Sequence, residues 1–257
     1  LKKLGCTGFP INEEPHGRFA HTPEPVPENL GQLREEVKRQ QADIGLAVDP
    51  DVDRCAVIDE NGRPLGEEYT VTIAADFMLN HKKGPVVVNM STTRAVEDVA
   101  EKAGVEVIRT KVGEIHVAEK MIETGAVIGG EGNGGVMLPE LHPGRDAPLA
   151  AALILQYMCD TGLPVSAIRA RLPDYAMSKK KVVIGSRNPD EIMDKLIRQY
   201  EAEKIQTMDG LKIDRPDSWI HLRKSNTEPI IRVMAEARTP AAADRITADF
   251  IRQIEAM

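Results

Sequence analysis

Asp49-Pro50-Asp51-Val52-Asp53-Arg54 lies between two short apolar runs, Ile44-Gly45-Leu46-Ala47-Val48 before it and Cys55-Ala56-Val57-Ile58 after it. Short apolar runs bounded by turn residues read as buried strands. Three carboxylates at alternate positions therefore share one tight loop. Acids this close repel unless a cation holds them, and hard oxygen donors suit Mg2+ or Ca2+. Arg54 adds a fixed positive charge beside them, the chemistry that receives phosphate. Three readings compete with a phosphoryl site. A plain polar turn would leave the acids solvated. An EF-hand would use Glu60 at the twelfth position, but Arg54 stands where that loop needs glycine and the flanks read as strands. A phosphatase would use Asp49 as nucleophile after its hydrophobic strand.

The 257 residues are enough for two or three domains with sizeable cores. A formal net charge of -7 argues against a general nucleic-acid or membrane-surface binder. No apolar run reaches the length of a bilayer span; the longest, around 147 to 158, reads as a core helix. Cys6, Cys55 and Cys159 are far apart and lack metal spacing, so they read as reduced, mostly buried thiols of a cytoplasmic protein. The chain opens at Leu1 without a Met or signal peptide. Leu1 to Cys6 reads as a helix end with a glycine stop entering a strand, the expectation for a fragment lacking its N-terminal part.

Around the acidic loop the chain divides into three parts. The first, 1–66, carries an irregular Pro-rich stretch from Phe9 to Asn29, a helix from about Pro27 to Gln41, and the two strands closed by Asn61-Gly62. The second, 67–172, alternates helices near 68–80, 94–102 and 115–123 with strands near 85–88, 105–108 and 126–128, and ends in a helix near 147–159. That alternation predicts an α/β domain with a largely parallel sheet. Ligands of such sheets sit beyond the carboxyl ends of the strands. There lie three polar loops, 89–94, 109–114 and the glycine-rich 129–135. Glu131 and Asn133 supply a carboxylate and an amide suited to sugar hydroxyls; the glycines alone would equally suit a flexible turn. The third part, 173–257, reads as α+β with strands near 175–184, 211–213, 219–222 and 230–236 and helices near 190–203 and 240–257. Between its last strands, Arg223-Lys224-Ser225-Asn226-Thr227-Glu228-Pro229 offers cation, hydroxyl and amide, a plausible phosphate cradle or an ordinary polar hairpin.

These loops, in this order, resemble the α-D-phosphohexomutases, which interconvert hexose 1- and 6-phosphates. Asp49 to Arg54 resembles the family's metal loop, Gly130 to Gly135 its sugar loop, and Arg223 to Pro229 its phosphate loop. The resemblance implies that Asp49, Asp51 and Asp53 bind Mg2+, and that Arg54 and Lys111 serve catalysis. It implies that Glu131 and Asn133 hold the sugar, and that Arg223, Ser225, Asn226 and Thr227 grip the idle phosphate. It implies a fold of three related α/β domains and a C-terminal domain around one cleft, with this chain supplying the back half of the second, the third and the fourth. The family's phosphoserine loop has no counterpart here; Ser91 and Ser225 lack its context. Partners would be a sugar-phosphate substrate and the missing N-terminal domain, with a hexose 1,6-bisphosphate as intermediate and no nucleic acid or membrane. Asn133 stands where relatives often carry Ser, and Glu114 where some carry His. Glu114 is read as a proton-transfer or sugar-contact residue, or as a helix N-terminal acid. The Gly130 to Gly135 loop and the 138–146 stretch resemble sequences of bacterial phosphoglucosamine mutases, which implies glucosamine phosphate first, with glucose or mannose phosphate as alternatives. A phosphatase and a non-catalytic sugar-phosphate binder remain as other classes.

Overall fold

The computed structural model describes residues 1–225 and 227–257. A short 3-10 turn at Lys2–Leu4 ends at Gly5, whose φ of 82° is left-handed. The segment after it is irregular rather than a strand, correcting that expectation. A second 3-10 turn, Pro27–Asn29, precedes α1 (Gly31–Gln40), so the single expected helix starts four residues late, behind a proline-led turn. Strands β1 (Ile44–Val48) and β2 (Cys55–Asp59) pair antiparallel around the acidic loop. All five residues of β2 are buried because both its faces are covered. Ala56 and Ile58 pack with Leu30 and Val37 under α1. Cys55 and Val57 join the large core of the middle region.

That region runs through α2 (Glu68–His81), β3 (Val86–Asn89), α3 (Ala95–Ala103), β4 (Val107–Thr110), α4 (Glu114–Thr124), β5 (Ile128–Glu131), β6 (Gly135–Leu138), β7 (His142–Arg145), α5 (Ala147–Thr161) and α6 (Val165–Arg169). Its sheet has the order β4-β3-β5-β6-β7. β3 is parallel to β4 and β5, whereas β6 and β7 are antiparallel, so the expectation of a largely parallel sheet holds for one half only. The glycine-rich stretch is the reason. Gly129 and Gly130 belong to β5, not to a loop. A Cβ on Gly129 would meet the Val87 carbonyl oxygen at 2.3 Å, and one on Gly130 the Gly135 carbonyl oxygen at 2.1 Å, so both serve close strand packing. The chain turns at 132–134 and returns as β6. Helix α5 starts where the Asp146 carboxylate accepts the Leu149 amide at 2.7 Å, a cap worth about 1 kcal/mol. Of the cysteines only Cys55 is buried; Cys159 is exposed on α5 and Cys6 half-buried.

The C-terminal region holds β8 (Ala176–Val183), α7 (Pro189–Gln199), β9 (Lys204–Gln206), β10 (Leu211–Arg215), β11 (Ser218–Lys224), β12 (Ile230–Ala237) and α8 (Pro240–Glu255). Its sheet, β8-β12-β11-β10-β9, is antiparallel throughout, with β9 the one strand not read from the sequence. Its apolar cluster, from Val182 to Ile254, is separate from that of the middle region. Tyr175, just before β8, packs into the cluster of the middle region, and beyond it the two regions meet through polar groups. The Arg94 guanidinium donates to the carbonyls of Arg215, Pro216 and Ser218, and the Arg94 amide to the Glu236 carboxylate at 3.0 Å. Ser91 Oγ lies 2.8 Å from His221 Nδ1. Among the described residues no helix is long and apolar enough to cross a membrane.

Candidate functional site

The acidic loop is organised from Asp49, which ends the β1 run and is 3 % exposed. Its Oδ1 accepts the amides of Asp53 (3.1 Å) and Arg54 (3.0 Å), and its Oδ2 accepts Arg54 Nε at 2.6 Å. Burial raises its pKa, but the Arg54 amide and guanidinium and the Asp53 contact outweigh that and hold it at about 2. Asp53 moves the opposite way, raised by burial and by its contact with Asp49 against the pull of Arg145. Asp51 is exposed. To close so tight a loop, Val52 takes φ 60°, a left-handed conformation unusual for a β-branched residue. Donor oxygens of Asp49, Asp51 and Asp53 lie within 4.8 Å of one another. Asp53 Oδ1 is buried with no hydrogen-bond partner. A hard divalent cation fits this set, because it would satisfy that oxygen and offset the three charges.

The hairpin carrying this loop is fastened to the glycine turn. The Cys55 amide donates to the Gly134 carbonyl at 3.0 Å, and Arg54 bridges to Gly135. Gly134 has φ 93°, and a Cβ there would stand 2.8 Å from the Cys55 carbonyl oxygen. The acids of this loop and Glu131 are thereby neighbours, though 78 or more residues apart in sequence.

Arg145 joins them. Its guanidinium pairs with Asp53, with Glu131 Oε2 at 2.7 Å and with Glu114 at 3.5 Å, while its amide donates to Glu114 Oε1 at 2.8 Å. Glu131 is 3 % exposed at the carboxyl end of β5. It accepts Asn89 Nδ2 at 2.7 Å, the Gly113 amide at 3.0 Å and Asn133 Nδ2 at 3.4 Å besides Arg145. Asn133 also receives the Gly135 amide at 3.1 Å, which closes the turn. Lys111 is exposed on the β4–α4 loop, two residues before that Gly113 amide.

A layer of charged groups, in which Glu68 is buried and Lys179 exposed, supports the glycine turn. Glu68 accepts the Thr93 amide at 2.9 Å and pairs with Lys179 of β8 at 2.8 Å; Lys179 also meets Glu67 and donates to the Gly132 carbonyl at 3.2 Å. Desolvation opposes the charge on Lys179, but Glu68 and Glu67 win and raise its pKa. A Cβ at Gly132 would fall 1.8 Å from Glu68 Oε2.

The 223–229 loop lies at the end of β11. Arg223 Nε donates to Asp209 Oδ1 at 3.0 Å, and Lys224 pairs with Asp190 at 2.5 Å. Ser225 Oγ accepts the amides of Thr227 (3.4 Å) and Glu228 (3.3 Å). Asn226 lies outside the described residues. Asp209 reaches the middle region as well, since its Oδ2 accepts the Val112 amide at 2.9 Å. The candidate residues from all three loops thus connect through Arg145 and Asp209. Neither was singled out for a role from the sequence, because no local pattern marks a residue whose partners are 92 or 97 positions away.

The chain matches family models described as phosphoglucomutase/phosphomannomutase, alpha/beta/alpha domain II at residues 1–62, alpha/beta/alpha domain III at 66–175, and C-terminal domain at 175–253. It is 34 % identical to a probable phosphoglucosamine mutase of Methanopyrus kandleri over 98 % of this chain and 56 % of that protein. It is 39 % identical to a phosphoglucomutase/phosphomannomutase of Thermococcus kodakarensis over 95 % of this chain and 54 % of that protein. Among solved structures, a phosphoglucomutase/phosphomannomutase family protein of Burkholderia thailandensis superposes with a TM-score of 0.79 at 28 % identity, covering 92 % of this chain and 52 % of that one. The chain spans about half the length of the curated relatives it matches. With matched segments running from residue 1 to 253, the chain belongs to the phosphoglucomutase/phosphomannomutase family, the phosphohexomutases.

Proposed function

We propose that this chain is the metal-, sugar- and phosphate-binding part of a cytoplasmic phosphohexomutase that interconverts hexose 1- and 6-phosphates, glucosamine phosphate first among them. We read 1–66 as the end of domain II, 67–172 as domain III and 173–257 as domain IV. The observation that carries the reading is Arg145, whose one guanidinium ties the acidic loop at Asp53 to the sugar loop at Glu131. A solvated polar turn has no reason for that arrangement.

Asp49, Asp51 and Asp53 would hold Mg2+, which when bound supplies charge neutralisation at phosphoryl oxygens. Arg54, kept in place by the buried Asp49 carboxylate, presents its remaining donors to the transferring phosphate. Lys111 serves the same phosphate from the β4–α4 loop as a mobile point charge. Glu131 and Asn133 orient the sugar, and Arg223, Ser225, Asn226 and Thr227 hold the phosphate that is not reacting. A phosphoserine from outside residues 1–257 gives its phosphoryl group to the free hydroxyl. The resulting hexose 1,6-bisphosphate reorients and returns the other phosphate. A phosphatase with Asp49 as nucleophile draws no support from the relatives, whose names are those of mutases. The relatives' names divide between phosphoglucosamine mutase and phosphoglucomutase/phosphomannomutase; the resemblance of the 130–135 loop and the 138–146 stretch to phosphoglucosamine mutases supports putting glucosamine phosphate first.

The test is 31P NMR of this chain with Mg2+, glucosamine 1-phosphate and a trace of the bisphosphate. Broadened substrate lines without conversion are expected, and glucosamine 6-phosphate should bind more tightly than the glucose or mannose 6-phosphates. Released inorganic phosphate would mean a phosphatase. Conversion by this chain alone would remove the external phosphoserine from the mechanism.

A further inference from the structure

We infer that Asp209 is a positioning residue that exchanges partners when phosphate reaches Arg223, passing the arrival of phosphate to the Lys111 loop and the sugar loop. The inference rests on the reading of 223–227 as the phosphate loop. Asp209 sits in the turn between β9 and β10, and that turn is seated firmly. Gly210 has φ 86°, and a Cβ there would strike the Leu222 carbonyl oxygen at 2.1 Å. The Asp209 carbonyl oxygen lies 2.6 Å from His221 Nε2, whose other ring nitrogen lies 2.8 Å from Ser91 Oγ in the middle region. With its backbone held, the Asp209 carboxylate is divided between two regions: Oδ1 takes Arg223 Nε, and Oδ2 takes the Val112 amide. The next amide, that of Gly113, donates to Glu131 Oε1. Consecutive amides therefore make the phosphate-loop contact and the sugar-loop contact.

A phosphate approaching Arg223 meets a guanidinium already paired with a carboxylate. A phosphate group carries more charge than the carboxylate and offers more acceptor oxygens, and the two anions repel. The guanidinium turns to the phosphate, and Asp209 is left with the Val112 amide alone. An unshared carboxylate accepts more strongly, so the Lys111–Val112 peptide, which carries the Val112 amide, is drawn toward Asp209 and the adjoining Gly113–Glu131 bond adjusts. The side chain that follows β4 at this point is Lys111.

The experiment is a titration of the 15N-labelled chain with inorganic phosphate, followed at the Val112 and Gly113 amides and at Arg223 Nε–H. All three should shift with one midpoint. Asp209→Asn keeps an acceptor for Val112 but removes the charge competing for Arg223. It should bind phosphate about three- to fivefold more tightly, the scale of one partly exposed ion pair, and lose most of the Val112 and Gly113 response. If Asp209→Asn binds no more tightly than wild type while Arg223→Ala loses binding, the exchange is wrong and the phosphate loop stands. If Arg223→Ala binds phosphate like wild type, the loop reading and the exchange fall together. Should Asp209→Asn not fold, the wild-type titration decides: a shifting Arg223 Nε–H beside unmoved Val112 and Gly113 amides overturns the inference.

Discussion

Replacing Arg145 by Met keeps most of the side chain's volume and removes the charge that holds two loops together. The Arg145 side chain is 18 % exposed and faces Asp53, Glu131 and Glu114 at once. Breaking a fully buried ion pair costs about 3–5 kcal/mol, whereas an exposed pair is worth under about 1 kcal/mol. Glu131 keeps three other donors, from Asn89, Gly113 and Asn133, which limits the penalty there. Asp53 fares worse, since one of its oxygens is already unpartnered. Weighing these, Arg145→Met should lower the free energy of unfolding by about 2–3 kcal/mol in urea titrations without metal. Saturating Mg2+ should narrow the gap, because the ion replaces the lost positive charge beside Asp53 and stabilises only the folded state. A loss below about 0.5 kcal/mol, the range of an ordinary surface change, would refute the assignment of Arg145 as the tie between the loops. So would a gap that Mg2+ leaves untouched.

Asp51→Ala removes an exposed carboxylate that no other side chain needs, so Mg2+ binding by calorimetry should be lost while stability changes by less than about 0.5 kcal/mol. Gly132→Ala would place a methyl on the Glu68 carboxylate and force it from Lys179 and the Thr93 amide. A loss of about 2–4 kcal/mol is expected, with faster limited proteolysis between the middle and C-terminal regions. His221 is held neutral, chiefly by burial, with its pKa lowered to about 4; the nearby charges of Lys212 and Arg223 act the same way, and the Asp209 carbonyl and charge oppose. The unfolded chain takes up this proton below about pH 6.5 while the folded one does not. His221 should therefore cost wild type stability as pH falls from 6.5 toward 4, by up to about 3 kcal/mol, and His221→Gln should flatten that part of the pH–stability curve.

The acidic loop was legible because its signal is local: apolar runs on both sides, three acids at alternate positions and a cation after them. The alternation of helices and strands from Glu68 to Ile128 was legible for the same reason. Strand ends were not. β4 runs two residues and β5 three beyond their apolar runs, into Arg109-Thr110 and Gly129-Gly130-Glu131, because the parallel ladder, and for Glu131 the antiparallel one with β6, continues where the apolar side chains end. Glycine misled at 129 and 130, where the same residue that permits a turn also permits close strand contact. β6 and β7 were lost with them, since Pro143, Gly144 and two charged or aromatic-polar residues do not read as a strand. Cys159 was misjudged as buried because its neighbours on α5 are apolar, but its own position faces out. Arg145, Lys179 and Asp209 act through distant partners, and only three-dimensional placement reveals them.

The way the acidic hairpin is attached has a mechanical consequence. It shares a continuous apolar cluster with the middle region through Cys55 and Val57 and is stapled to the glycine turn by a backbone bond. Apolar seams of that kind resist sliding, because separating them exposes oil to water along their whole length. The C-terminal region meets the same body through Tyr175 and through guanidinium, carboxylate, imidazole and hydroxyl contacts, while its own apolar cluster begins only at Val182. Water can replace such contacts one by one. The family-domain boundary near residue 64 is thus a seam inside one continuous apolar core, whereas the joint near residue 175 rests on a single buried tyrosine and a ring of polar contacts.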